Sequence, residues 1–290
     1  MAALAQFIVA GIGMGSVYAL IAVGFSLIYK VTGVINFAQG EFAMIGAMSF
    51  WMLQSHGVPL APALLLSVAI AAAVGAAIGR FVMYPAQHAS VLTLIFITLG
   101  LDTALRGLGT LAWGVNPVAV QPFSGNGVVR LLGAVVPVQN LWIFGAVLLV
   151  AALLYLLLER TYLGRGMTAA MDNPTAARLY GMDPLRFGLY AWVLAGAIGA
   201  FGGVVFAPMT TASVNMGLDL GLYGFVGAIL GGFDSLPGAA IGGIFLGIIT
   251  SLASGYVSGN WAEGIAFLVL LVVLLLRPQG FLGTSLNRRV

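Results

Sequence analysis

The side chains able to do chemistry are few and widely spaced. The run Asn36-Phe-Ala-Gln39-Gly-Glu41 puts two amides and a carboxylate at the edge of an apolar stretch. Asp102 and Arg106 stand four apart inside another, so on a helix they share one face. A charge in hydrocarbon is costly, so this pair should neutralise itself and face the interior. Both groups have a structural and a functional reading. Asn36 caps a helix and Gln39 closes a capping box, with Glu41 in the first turns where a carboxylate suits the helix dipole; or all three line a path. Asp102 and Arg106 form a structural ion pair or belong to that path. Asp219 and Glu263 lie near the ends of their apolar stretches and read as solvated or interfacial.

Several chemistries are excluded outright. There are no cysteines, so thiolate chemistry, disulfides and Cys-ligated metals drop out. The two histidines, His56 and His88, are far apart with no carboxylate at ligand spacing, and no acid/base pair, nucleophile or metal cluster stands out. No G-x-x-x-x-G-K-[ST] phosphate loop occurs, and Lys30 is the only lysine, so the chain is not itself a P-loop ATPase.

The elements that must position these residues follow from composition. Of 290 residues, 61% are hydrophobic and only 7% charged. That is too little charge to cover a soluble domain, for which about a quarter is ordinary. The expected fold is all-α: a polytopic transmembrane helix bundle forming a single domain over residues 1–290. A formal net charge of +3 is far too small for a nucleic-acid surface, and the cations read as loop charge that orients the spans. The first apolar run lacks a basic segment before it and is too long for a cleaved signal, so it reads as a retained span.

Nine apolar stretches are candidate spans: Ala5–Tyr29, Phe37–Leu53, Pro62–Tyr84, Val91–Trp113, Leu141–Leu158, Phe187–Met209, Leu218–Leu230, Gly238–Tyr256 and Ile265–Leu276. The seventh and ninth are short, so eight or nine cross. Arg160, Arg165, Arg178 and Arg186 make the segment of about 159–186 cytoplasmic, and Arg277, Arg288 and Arg289 do the same for the tail. Nine crossings satisfy every cluster with the N-terminus outside, leaving Arg130 as the one exception. Trp51, Trp113, Trp142 and Trp261 then sit near outer ends, as interfacial aromatics do.

Glycines number 41, many for a chain with so few loops, and predict close helix packing. Gly11/Gly15, Gly75/Gly79, Gly199/Gly203, Gly238/Gly242 and Gly243/Gly247 are small-xxx-small pairs. Gly40 to Ala47 shares its glycine spacing with Gly221 to Ala228. These lie on the second and seventh spans, five crossings apart and so oppositely directed, as in an inverted repeat; two glycine-rich helices alike by chance are the alternative. In Gly231-Gly-Phe-Asp-Ser-Leu-Pro-Gly238, Asp234 or Ser235 starts a new helix with Pro237 in its first turn.

The cytoplasmic segment predicts a short helix. Asp172 or Asn173 caps it, Pro174 takes its first position, and Gly181 ends it in the left-handed conformation. Under two turns, it is marginal alone. Ala176, Ala177 and Leu179 give it an apolar side with nothing evident in its own loop to cover it, which suits insertion into a groove on another protein.

Taken in order, four pieces carry a family resemblance: Gly15-Ser-Val-Tyr-Ala-Leu20, Gly33-Val-Ile-Asn-Phe-Ala-Gln-Gly-Glu41, Gly164-Arg-Gly166 with Ala176-Ala-Arg-Leu-Tyr-Gly181, and Gly231 to Gly238. Over almost its full length the chain resembles the LivH-like permease subunits of branched-chain amino-acid ABC importers, departing from them at Gln39, often His, and Asp234, often Gly. The resemblance implies an inner-membrane subunit of a bacterium, paired with a second permease (LivM-like, or a second copy). Two ABC ATPase subunits would hold the ATP and Mg, and an extracytoplasmic amino-acid-binding protein would deliver solute. It further implies that the Met171–Gly181 stretch, with Met171, Asp172, Asn173, Ala176, Ala177, Leu179 and Gly181, is the helix coupled to the ATPase. Urea or short-chain amide permeases share these motifs. Outside the class stand an ion-coupled secondary transporter using Glu41 or Asp102, and a gated channel.

Overall fold

The structure, a computed structural model, describes residues 2–131, 134–172, 174–181 and 183–283. It is overwhelmingly helical. In chain order the helices are α1 (Ala2–Thr32), α2 (Gln39–Ser55), α3 (Leu60–Ala77), α4 (Val91–Trp113), α5 (Val138–Tyr155), α6 (Tyr162–Asp172), α7 (Pro174–Leu179), α8 (Pro184–Phe206), α9 (Met216–Gly231), α10 (Leu236–Tyr256) and α11 (Ala262–Leu276). Wider turns prolong α3 through Ile78–Met83 and α5 through Leu156–Arg160.

Helix boundaries are set by local chemistry. Ser90 accepts from the Thr93 amide ahead of α4, Asp183 from Leu185 ahead of α8, and Ser235 from Gly238 ahead of α10. Each gives a side-chain acceptor to an orphan N–H of the first turn. Pro184 and Pro237 fill first-turn positions where no N–H is needed. Gly33 at φ +71 and Gly114 at φ +80 close α1 and α4 in the left-handed region.

Among the described residues six helices are long and apolar enough to cross a membrane: Ala3–Thr32, Leu60–Met83, Val91–Trp113, Val138–Arg160, Pro184–Met209 and Leu236–Tyr256. The chain is thus a polytopic helical membrane protein. The expectation of eight or nine spans is not met by length alone. At 17, 16 and 15 residues, α2, α9 and α11 fall short of the 20 or so that a bilayer core takes at about 1.5 Å per residue.

The core is built on close backbone approach. A Cβ on Gly15 would stand 2.6 Å from the Ile244 carbonyl of α10, and one on Gly247 would run into the Gly15 backbone. Gly75 meets the Trp192 carbonyl of α8, Gly203 the Ala43 carbonyl of α2, and Gly242 the Gly227 carbonyl of α9. The paired small residues are therefore where helices cross, as dispersion-driven packing in lipid requires. The resulting neighbours are α1 with α10, α8 and α9; α2 with α3, α8 and α9; α3 with α8; and α9 with α10. Helix α4 touches the rest chiefly through α2 and is otherwise open to its surroundings.

Not everything is helical. Val128–Leu131 (β1) and Ala134–Pro137 (β2) pair antiparallel, with Val129 opposite Val136 and Arg130 opposite Val135. This short hairpin is an addition to the helical fold in the connection between α4 and α5, and each strand carries two valines, whose β-branched side chains suit a strand. The C-terminal stretch also docks, Phe281 and Leu282 donating at 2.8 Å to the carbonyls of Leu230 and Gly231 at the end of α9. Arg288 and Arg289 lie outside the described residues.

Candidate functional site

The Asn36–Glu41 run forms a locked junction rather than a capping box. Helix α2 begins at Gln39, and its N-cap is Ala38, which has no side-chain cap. Asn36 sits upstream, its Oδ1 accepting from the Ala38 amide at 3.1 Å and its Nδ2 donating to Gln39 Oε1 at 3.4 Å. Gln39 Nε2 donates in turn to the Ala195 carbonyl of α8 at 3.1 Å. Gly24 and Gly199 make room for that amide, since a Cβ on either would press on it. The capping box fails because Gln39 spends its side chain on a third helix instead of the Asn36 backbone.

Glu41 belongs to a three-membered charge cluster. Its Oε1 accepts from Arg106 Nη2 at 3.1 Å and from Nε at 3.3 Å, while the same Nη2 donates to Asp102 Oδ2 at 2.6 Å. The expected Asp102–Arg106 pair is thus real but incomplete. Two carboxylates share one guanidinium, leaving a formal charge of −1. Asn36, Gln39 and Glu41 are fully buried, and Asp102 and Arg106 keep side-chain exposures of 16% and 25%. Glu41 Oε2 is buried without a partner. The carboxyl group packs where a Cβ of Gly217 would be 2.8 Å away, in the first turn of α9. There the positive end of the helix dipole offsets part of the excess charge. All five proposed path residues therefore lie along one ribbon from Asn36 to Arg106.

The proposed coupling residues are elsewhere in the fold. Met171 and Asp172 end α6, Asn173 lies outside the described residues, and α7 runs from Pro174 to Leu179. Gly181 takes φ +76, the expected left-handed stop. Its apolar side is split: Ala177 is buried against the chain itself, Ala176 is half-buried, and Leu179 and Tyr180 are each 84% exposed. Ala177 is covered because α7 folds back onto α6 and α8, whereas Leu179 stays exposed.

A second polar site was not anticipated. A cavity of about 590 Å³ lies between α1, α9, α10 and α11, lined among others by Tyr18, Asp219, Tyr223, Thr250, Ser254 and Glu263. Tyr18 and Tyr223 stack with ring centroids 4.8 Å apart. Asp219 and Glu263 are exposed, but to this cavity. In the sequence the two stand near the ends of apolar stretches, which reads as solvated or interfacial, and nothing local joins them to Tyr18. Among the described residues no group of three or more His, Cys, Asp or Glu is arranged to hold a metal.

Comparison with known proteins places this architecture. The family model described as branched-chain amino acid transport system / permease component matches residues 7–274. The chain belongs to that family. Among curated relatives of this permease, the high-affinity branched-chain amino acid transport system permease protein LivH of Escherichia coli is 31% identical, over 94% of this chain and 93% of its own. The corresponding protein BraD of Pseudomonas aeruginosa is 30% identical, over 96% and 95%. Among solved structures, PsaBC from Streptococcus pneumoniae in complex with Fab superposes with a TM-score of 0.53 over 94% of the permease and 93% of that chain. At 13% identity that likeness speaks for the fold alone.

Proposed function

We propose that this permease is the membrane-spanning subunit of an ATP-driven ABC importer that carries branched-chain or related amino acids into the cytoplasm by alternating access. The supporting observation is the likeness to LivH and BraD along almost the whole length of all three chains, two of them named for that transport. On this reading residues 1–290 form one transmembrane domain with a cytoplasmic coupling loop at about 159–186. It resides in the bacterial inner membrane and pairs with a LivM-like permease or a second copy of itself. An extracytoplasmic amino-acid-binding protein supplies the solute, and two ABC ATPases holding ATP and Mg supply the work. With no phosphate loop of its own, the chain is a transport subunit and not an enzyme.

The six long helices plus α2, α9 and α11 then make nine crossings, with Lys30, Arg80, residues 159–186 and Arg277 on one side. Helix α2 is short but buried from Gln39 to Phe50, and the turn Gly259–Trp261 lengthens α11. The helices also follow an inverted repeat. Exchanging α1 with α8, α2 with α9, α3 with α10 and α4 with α11 carries contacts onto contacts: α1–α10 onto α8–α3, α2–α8 onto α9–α1, α2–α3 onto α9–α10, and α2–α4 onto α9–α11. Gly40 and Gly221, the matched positions of the two glycine patterns, pack against each other where α2 crosses α9. A residue that touches its own equivalent lies on a two-fold axis. Helix α5 is the extra element and touches both α1 and α8.

In this mechanism nucleotide-driven closure of the ATPases presses on α7 and shifts the bundle between its outward- and inward-open states. The Asn36–Arg106 ribbon joins α2, α4 and α8 and serves as the brace against which the helices turn. The test is Leu179→Asp in the assembled importer. Uptake of labelled leucine should fall at least tenfold, with the permease still inserted and its hold on the ATPases weakened. Full uptake by that variant, or flux through the purified subunit without ATPases, would count against the reading.

A further inference from the structure

The cavity between α1, α9, α10 and α11 has a composition that asks for a particular kind of ligand. Among the described residues its wall holds two carboxylates, Asp219 and Glu263, and no Lys, Arg or His. Around them stand hydroxyls, among them Thr250, Ser254 and Tyr223. Arg106 acts on Asp219 only from outside that wall, and its guanidinium is already taken up by Glu41 and Asp102. A second observation is independent of the acids. Tyr18 is 4% exposed, is held by its stack on Tyr223, and lines the cavity with a hydroxyl that has no hydrogen-bond partner among the described residues. That hydroxyl opens on the cavity, where a polar occupant can reach it. At about 590 Å³ the space is within the range of ligand sites and larger than a single amino acid needs.

The repeat sharpens the point. Glu41 and Asp102 stand on α2 and α4; Asp219 and Glu263 stand on the counterpart helices α9 and α11. In the first half a guanidinium bridges the two acids. In the second half the acids face the cavity instead, and at other register positions: with Gly40 matched to Gly221, Asp219 answers to Ala38 and Glu41 to Leu222. We propose that Asp219 and Glu263 receive the ammonium group of the transported solute, which takes there the part Arg106 takes between Glu41 and Asp102. The hydroxyls of Tyr18 and Ser254 serve the solute's carboxylate as donors, while that of Thr250 is spent on the Gly247 carbonyl. This rests on the reading of the chain as an amino-acid permease and adds to it: the cavity selects solutes with a free cationic amine and rejects the same carbon skeleton without one.

The experiment uses the complete importer in membrane vesicles, with excess leucine-loaded binding protein and labelled leucine as probe. Asp219→Asn combined with Glu263→Gln should lower maximal uptake more than tenfold, while basal ATP hydrolysis and docking of the binding protein stay within twofold of wild type. Asp219→Glu and Glu263→Asp, which keep the charges, should retain at least a third of the uptake. Because a variant can fail to assemble, the wild-type importer gives a second readout: 3-methylbutylamine should inhibit uptake and 4-methylpentanoate at equal concentration should not. Uptake by the neutral double variant within twofold of wild type overturns the assignment alone. So does a loss from the charge-preserving variants as deep as from the neutral ones, or inhibition by the acid and not the amine. A wild-type importer that moves urea and no amino acid overturns the proposed function, and this assignment with it.

Discussion

Two pairs of carboxylates, one in each half of the chain, meet opposite fates. Glu41 and Asp102 close on Arg106 and are withdrawn from solvent, Glu41 completely. Asp219 and Glu263 lie open to a cavity whose wall carries no cation among the described residues. The same physics governs both. A carboxylate removed from water needs a cation or several donors to repay its desolvation, and inside a membrane the alternative partner is hydrocarbon. Where the chain supplies the cation, the acids become structure. Where it does not, they stay wet and available.

The comparison breaks most visibly at Arg106. Arg106→Ala leaves Glu41 fully buried with no cation, and breaking a buried pair in this way costs about 3–5 kcal/mol. Thermal unfolding in detergent should show a correspondingly large drop. Adding Glu41→Gln should recover most of it, since the stranded charge is what hurts. A double variant no more stable than Arg106→Ala would mean that the guanidinium holds α4 by packing and not by charge.

Asp102→Asn comes next. Arg106 keeps its bonds to Glu41 Oε1, so only the charged contact at 2.6 Å is weakened, worth about 1.5–3 kcal/mol. The change also removes the surplus negative charge, which pulls the other way. The measured loss should therefore be clearly smaller than that of Arg106→Ala, and an equal loss would refute the sharing of one guanidinium by two acids.

How much of this was legible in the sequence depends on the range of the interaction. All nine apolar stretches appear as helices with ends moved by a few residues, because length, apolarity and caps such as Ser235 are local. The small-xxx-small pairs were legible as packing, and Gly15 against Ile244 or Gly203 against Ala43 shows them at work. What local pattern could not supply was the partner. Asp102 and Arg106 are one turn apart and were paired from spacing, but Glu41 joins them across 65 residues. Spacing alone pairs Gln39 with Asn36 three residues away in a capping box, whereas its Nε2 donates to the Ala195 carbonyl, 156 residues on. The cavity escaped for the same reason: Tyr18, Asp219 and Glu263 look solitary until α1, α9 and α11 are brought together. Ala177 shows the converse: an apolar residue with no cover in its own loop is buried by the bundle.

Glycines beside the two carboxylate pairs make a finer comparison. A Cβ on Gly217 would sit 2.8 Å from the Glu41 carboxyl, which Arg106 holds in place. Gly217→Ala should cost about 1–3 kcal/mol by overpacking, and should loosen the Glu41–Arg106 contact. Gly264, next to Glu263, has only a ring carbon of Trp261 at 3.7 Å from such a Cβ, which is ordinary contact. Gly264→Ala in the first turns of α11 should be neutral or stabilising by up to about 1 kcal/mol, since alanine is the better helix former. Equal losses at the two glycines would show that the second pair is as tightly enclosed as the first.

The smallest effect is expected at the open pair itself. Asp219 and Glu263 have no ion-pair partner among the described residues, so Asp219→Asn and Glu263→Gln remove no attractive contact between charges. They relieve whatever repulsion the two acids exert across the cavity. Substitutions that leave packing and partners untouched stay within about 0.5 kcal/mol, and both changes, singly or together, should unfold within that margin of wild type. This small number matters because Glu41 and Asp102 sit on helices that the repeat matches to α9 and α11. If neutralising the second pair cost as much as Arg106→Ala, its carboxylates would have to be spent on the fold as fully as the first, and nothing would be left over to hold a solute. A null effect on unfolding, joined to a loss of uptake, would separate the half of the chain that braces the bundle from the half that serves the cargo.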